Sequence, residues 1–164
     1  DESDVVPCVF RAVHHAVLQA SSGPDFDGDH RFKVFFVGHS FGGLVTLSVA
    51  QGISSYFSAL KKGRRSAPYE VEVAGVCCLN TAGCHDNAGD AGIGTQSLAR
   101  ALFVCGSEDQ TVPPACTLYA HMSVQAANNR LMILRGGTHG LEAHKDELTK
   151  ELALEITVAF GAGP

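Results

Sequence analysis

The chain has no apolar run approaching the roughly 18 residues of a membrane-spanning helix. Its first residues, Asp1-Glu2-Ser3-Asp4, have neither the basic start nor the apolar centre of a signal peptide. The sequence therefore predicts no membrane span. It also lacks a basic surface: 12 lysines and arginines stand against 17 aspartates and glutamates, a net charge of −5, so the electrostatic footprint of a nucleic-acid binder is missing. The one basic cluster, Lys61-Lys62-Gly63-Arg64-Arg65, falls between a helix and a strand and reads as a solvated turn. Six cysteines occur without the spacing of a disulfide framework. Cys77, Cys78 and Cys105 fall in predicted buried strands, where cysteine acts as a small hydrophobe. Cys8 and Cys116 fall in predicted helices and Cys84 in a loop. Free thiols in a reducing compartment such as the cytoplasm are the expectation. Internal repeats and low-complexity tracts are absent as well.

What remains is an ordinary globular composition, 45% apolar and 18% charged over 164 residues. That is the length of a single domain, 1–164, able to bury roughly 70% of its unfolded surface. The stretch that organises it is Lys33 to Gly43, K-V-F-F-V-G-H-S-F-G-G. A β-branched and aromatic run (Val34 to Val37) meets Gly38-His39-Ser40-Phe41-Gly42-Gly43, and an apolar run able to start a helix follows. Strand, sharp turn and helix with a serine at the apex is the setting in which G-x-S-x-G reads as a nucleophile elbow. Gly38 and Gly42 supply positions without a Cβ, so that strand and helix can approach while the hydroxyl stays exposed. The helix N-terminus points its N–H groups, that of Phe41 first, at an oxyanion forming there.

Taken in order, apolar residues at spacings near 3.6 predict a helix over 4–20, with Pro7 tolerated in its first turn. The adjacent His14 and His15 point about 100° apart on it and cannot share a metal. A Gly/Pro/Asp-rich loop covers 21–30, strand 33–38 precedes the elbow, and the elbow helix runs to about Leu60. Strands follow at 69–80 and 100–106. A helix opened by Pro113 or Pro114 extends to about Asn128, a short strand covers 131–134, and a last amphipathic helix covers 145–160. Alternating helices and strands predict an α/β fold, a parallel, doubly wound sheet with helices on both faces. In such a sheet the active crevice lies beyond the carboxyl ends of the strands.

Those ends carry Ser40, Asn80-Thr81, Glu108-Asp109 and His139. A serine hydroxyl is a weak nucleophile; it needs a base, and the base needs a third group to hold its tautomer. Ser40, Asp109 and His139 supply these in the chain order of an α/β-hydrolase. Competitors for the acid are Glu108, Asp86 and Asp90; for the base they are His121, inside a helix, His144, opening the last helix, and His39, which is chained to Ser40 and points elsewhere. Asn80, Thr81 and Val112 are expected along the substrate cleft. Cys77, Cys78, Cys84 and His85 are of metal-ligand type, but adjacent strand residues face opposite sides. Asp86-Asn87-Asp90 lacks the spacing and terminal glutamate of a calcium loop. No metal and no cofactor are expected.

The elbow G-H-S-F-G-G, the acid turn G-S-E-D-Q-T-V-P-P and the base loop G-G-T-H-G resemble the α/β-hydrolase superfamily. Within it they are most similar to serine esterases of the dienelactone-hydrolase, chlorophyllase and polyester-hydrolase group, over roughly residues 4–160. The resemblance implies acyl transfer from a small-molecule or lipid-like ester: Ser40 attacks, His139 shuttles the proton, Asp109 orients His139, and the Phe41 N–H is one oxyanion donor. Some members carry cysteines directly after the acid and the histidine; here Gln110 and Gly140 stand there, so that disulfide is not expected. The family fold also has about four strands and a helix before the helix at 4–20, and its second oxyanion donor comes from a loop that nothing here matches. The chain thus looks like the C-terminal half of a hydrolase, lacking the N-terminal strands and completed by a preceding segment of the same protein. Strand 33–38 is then expected to be an apolar sheet edge, with one face of the sheet covered by the last helix alone. Only 81–97 is placed to overhang an open cleft. Two rival readings share these motifs: a serine peptidase of prolyl-oligopeptidase type, and a non-catalytic binding module of the same fold.

Overall fold

The period of the apolar residues decides most of the elements. The computed structural model of the protein describes residues 2–24, 31–62, 69–82 and 98–161. They form α1 (Glu2–Ser21), β1 (Arg31–His39), α2 (Phe41–Lys62), β2 (Glu70–Leu79), β3 (Leu98–Gly106), α3 (Pro114–Ser123), β4 (Ala126–Leu134), a 3₁₀ turn (Glu142–His144) and α4 (Lys145–Ala159). Gly63, Arg64 and Arg65 of the basic cluster, most of the stretch 81–97, and Cys84, His85, Asp86, Asn87 and Asp90 lie outside the described residues.

The four strands are all parallel, in the order β1-β2-β3-β4. Helices cover both faces, as expected, and among the described residues the strand order runs one way without reversal. On one face α2 and α3 pack through Leu47, Ala50 and Ala120 onto Val76, Cys78 and Phe103. Beside them α1 and α2 join through Val17, Val49, Ile53 and Phe57. On the other face α4 is alone among the described helices, setting Leu148 and Leu152 against Cys77, Leu102, Val104 and Leu134. Adjacent Cys77 and Cys78 thus serve opposite cores, and burial pushes the Cys77 thiol up to about 12, with Glu155 adding to the effect. Cys105 is equally buried, at 1% exposure. Cys116, expected as a free thiol, is instead disulfide-bonded.

β1 is an edge strand, paired only with β2 among the described residues, and Val37 on it remains 46% exposed. The register slips between Val34 and Phe35, and Phe35 then lies opposite Gly75, where the missing Cβ leaves room for its ring.

One boundary differs from expectation. The helix predicted to about Asn128 ends at Ser123, and the strand predicted from Leu131 begins at Ala126. Gln125, Ala126 and Ala127 favour a helix by local propensity, but Ala126, Asn128 and Asn129 pair with Leu98, Arg100 and Ala101 of β3. Asn129 then donates its amide to the carbonyls of His121 and Val124, satisfying the end of α3 that it terminates. Tertiary pairing overrides propensity here.

At the β1–α2 junction, a Cβ on Gly38 would lie 2.0 Å from the Gly42 carbonyl oxygen and 2.4 Å from Thr46 Oγ1. Gly42, the other elbow glycine of the sequence reading, has nothing within 4 Å of its would-be Cβ. The second close approach falls one residue later, at Gly43, 2.6 Å from Thr81 Oγ1.

α4 is fixed by charge as well as by apolar contact. Glu155, 2% exposed, accepts from Arg100 at 2.9 Å on one oxygen and from Arg130 on the other; Glu151 adds a second bond to Arg130 at 3.1 Å. Both buried carboxylate oxygens are therefore satisfied. Removing the carboxylate leaves the mostly buried Arg100 without this partner, whereas the exposed Arg130 keeps Glu151, so Glu155→Ala is expected to lower stability by about 1–3 kcal/mol in urea unfolding. In the same assay Gly38→Ala should cost about 1–3 kcal/mol through overpacking, whereas Gly42→Ala should stay within about 0.5 kcal/mol of the parent.

Candidate active site

Four strand ends deliver four different groups to one edge of the sheet. The end of β1 delivers Ser40. Its backbone lies in the left-handed region at φ 56, uncommon for a residue with a side chain. Three backbone bonds hold it there: its N–H donates to the Leu79 carbonyl at 2.8 Å, and its carbonyl accepts from Gly43 at 3.0 Å and Ala82 at 3.1 Å. The strain is thus fixed from both β2 and α2. Phe41 opens α2, so its N–H has no partner within the helix and points from a positive dipole end.

The end of β3 delivers Asp109, and the loop after β4 delivers His139. These two loops are joined along their backbones. Ser107 donates to the Leu134 carbonyl and Glu108 to the Gly137 carbonyl, both at 2.9 Å, and Gly136 donates to Ser107 Oγ at 2.9 Å. Such contact needs glycine at Gly106, where a Cβ would lie 2.2 Å from the Gly137 oxygen. The result is a hydrogen bond of 2.8 Å from His139 Nδ1 to Asp109 Oδ2.

The Asp109 side chain is fully buried and that of His139 is 26% exposed. Burial alone would raise the Asp109 carboxyl. The N–H of Val112 outweighs it together with His139 and the N–H of Thr111, so the group titrates below its ordinary value. Both amides bind Oδ1, at 2.8 Å from Thr111 and 2.9 Å from Val112. One carboxylate oxygen is thereby held by the turn and the other is free for the histidine. An ionised carboxylate only accepts, so Nδ1 must carry the proton and Nε2 is the basic nitrogen.

The competitors separate cleanly. Glu108 is exposed, one residue from the buried Asp109. His121 packs edge-on against Phe103 in the core, and His144 donates from Nε2 to the Arg135 carbonyl at 3.1 Å. His39 does not point elsewhere. Its ring lies 4.7 Å from that of His139, and its Nε2 donates to the His139 carbonyl at 2.7 Å. Only its place before the serine could have hinted at this contact. Of the expected cleft residues, Asn80 and Thr81 are 0% and 1% exposed and Val112 is 8% exposed. Asn80 turns inward at φ 42, its amide facing the base loop and β3 rather than a cleft. Val112 contributes its backbone N–H to the acid instead. Among the described residues no group of three or more potential ligands could hold a metal ion.

No family model matches the sequence, and no curated protein matches it either. Solved structures do match. Est1E from Butyrivibrio proteoclasticus superposes with a TM-score of 0.58 at 15% identity over 89% of this chain and 67% of its own. XC6422 from Xanthomonas campestris, described as an α/β serine hydrolase without lid, gives 0.60 at 15% identity over 93% of this chain and 57% of its own. The dienelactone hydrolase from Anabaena variabilis gives 0.55 at 21% identity over 93% and 60%. This chain spans 57% to 67% of the length of these three structures. At such identities the likeness is one of fold. The four parallel strands, their helices and these neighbours together show that the chain has a partial α/β-hydrolase fold.

Proposed function

We propose that the protein hydrolyses carboxylic esters through an acyl-enzyme on Ser40. The observation that carries this reading is the 2.8 Å bond between the buried Asp109 and His139, on the same sheet edge as a serine held at positive φ. In this reading His139 Nε2 takes the Ser40 proton as Oγ adds to the ester carbonyl. The Phe41 N–H, at the head of α2, stabilises the oxyanion. Collapse expels the alcohol, which takes its proton from His139. Water, activated by the same nitrogen, then cleaves the acyl-enzyme and returns the proton to Ser40. Asp109 stays ionised throughout and holds the imidazole in its Nδ1–H tautomer. An ester is favoured over a peptide as substrate because the fold neighbours named above include a dienelactone hydrolase, and a lactone is an ester. The substrate is expected to be a small-molecule or lipid-like ester, and any preceding segment of the same protein would contribute the second oxyanion donor.

A fluorophosphonate probe should label Ser40 covalently, and labelling should vanish in Ser40→Ala and His139→Ala. Turnover of p-nitrophenyl acetate should follow the same pattern, and with one oxyanion donor assigned it should run about 10²–10³-fold below a two-donor hydrolase. An unlabelled but folded protein would favour the binding-module reading, and faster cleavage of peptide than of ester reporters would favour a peptidase. Asp109→Asn should lower kcat by about 10⁴-fold.

The same substitution reports on stability. Because the folded carboxyl titrates below its unfolded value of about 3.9, its contribution is complete above that pH. It is lost as pH falls through the lower folded value. The stability gap between parent and Asp109→Asn should therefore be flat above about pH 5 and close below about pH 4, as read by urea midpoints at each pH.

A further inference from the structure

We propose that Asn80 is a positioning residue for this reaction, locking the base loop to the acid strand so that His139 is presented to Ser40 and Asp109 together. The inference rests on the hydrolytic reading above. Asn80 stands immediately after β2, between the strand that ends in the serine and the strand that ends in the acid. Its N–H donates to the Val104 carbonyl of β3 at 2.8 Å. Its side-chain oxygen accepts from the Gly106 N–H at 2.9 Å, and its side-chain nitrogen donates to the carbonyls of Thr138 at 3.2 Å and His139 at 2.7 Å.

The surroundings fix the orientation of this amide. Flipped, it would set its oxygen against two carbonyls and its N–H groups against another N–H. The residue type is constrained too, because a backbone at φ 42 is tolerated by asparagine and glycine far better than by a branched side chain. Complete burial means that no water replaces a lost partner.

The bond from Asp109 holds one ring nitrogen of His139 but not the backbone that carries the ring. Glycines flank that backbone on both sides, Gly136 and Gly137 before it and Gly140 after it. Asn80 holds it by the carbonyl of the base itself. His39 reaches the same carbonyl at 2.7 Å, but from an exposed side chain. Asn80 is the donor whose bond solvent cannot replace.

Two variants of the full chain test this. Asn80→Gly keeps access to the backbone conformation and deletes the amide. Asn80→Asp keeps the size and the acceptor for Gly106 but turns an oxygen toward two carbonyls. The readouts are thermal melting, the downfield proton resonance of His139 Nδ1–H, and the rate at which a fluorophosphonate labels Ser40. The expected result is folded variants that lose the resonance and label about 10²-fold more slowly, with Asn80→Asp at least as impaired as Asn80→Gly. Folded variants that keep the resonance and the parental labelling rate would overturn the proposal. So would unfolding of both, which would make Asn80 a residue of the core, and so would a parent that shows no such resonance. If the parent shows the resonance but is never labelled, the hydrolytic reading fails. The resonance in the variants then still decides whether Asn80 positions His139.

Discussion

The structure depends on the close approach of two loops, the one after β3 and the one after β4. Gly106 lies against the Gly137 carbonyl at a distance that admits no side chain, and Ser107 and Glu108 extend the contact as backbone hydrogen bonds. The loop after β4, with Gly136, Gly137 and Gly140, would alone have considerable conformational freedom. Together the two loops behave as a continuation of the β3–β4 pairing beyond the end of the sheet, with Leu134 and Gly137 accepting where further strand residues would. Asp109 and His139 are then separated by a distance that the backbone sets, and their 2.8 Å bond follows from it. The Asp109 carboxylate is held by its own turn as well as by His139. Two turn amides saturate one carboxylate oxygen, which keeps the group ionised despite its burial and aims the other oxygen at the histidine.

The elbow solves a different problem by similar means. Ser40 must sit in a backbone region that disfavours it, at a cost of about 1–3 kcal/mol. Its own N–H and carbonyl are both engaged, with β2, Ala82 and α2, so the strained turn is overdetermined. Thus Ser40 is held by Leu79, Ala82 and Gly43, while Asp109 and His139 are held by each other. The described bridges between the two halves are few: His39 and Asn80, both ending on the carbonyl of His139.

Much of this was legible in the sequence, and the reasons differ by element. Strand and helix periods located β1, α2, β2, β3 and α4 because each has a continuous apolar face, which burial alone explains. The order and loop placement of Ser40, Asp109 and His139 were legible because a strand end is marked by the change from apolar to turn residues. The boundary of α3 was not, since Gln125 to Ala127 favour a helix and only pairing with β3 turns them into strand. The role of Gly42 was misassigned for a related reason. Sequence shows three glycines near a turn but not which of them a neighbour approaches, and that neighbour at Gly43 is Thr81, far along the chain. Asn80 and His39 were beyond reach because their partners are backbone carbonyls, which carry no residue identity. The bonding of Cys116 was hidden by the absence of any framework spacing.

The sheet order has a further consequence for the site. Among the described strands β1 is at the edge, so Ser40 sits at the rim of the described sheet, with β2, β3 and β4 all on one side of it. The strands that lead to Asn80, Asp109 and His139 therefore all lie on that one side. Close to Ser40 in the chain, two apolar side chains are exposed: Val37, at 46%, and Phe41, at 43%. In the hydrolytic reading proposed above, an apolar acyl group approaching over Val37 and Phe41 would meet apolar surface. Yet an oxyanion formed at Ser40 gains from low surrounding dielectric only once water is excluded. In that reading the described contacts orient Asp109 and His139, and whatever lies against β1 would set the dielectric around Ser40. Orientation and water exclusion are thus separable in this fold, with the first carried by backbone contacts among β2, β3 and β4 and the second left to whatever lies against β1.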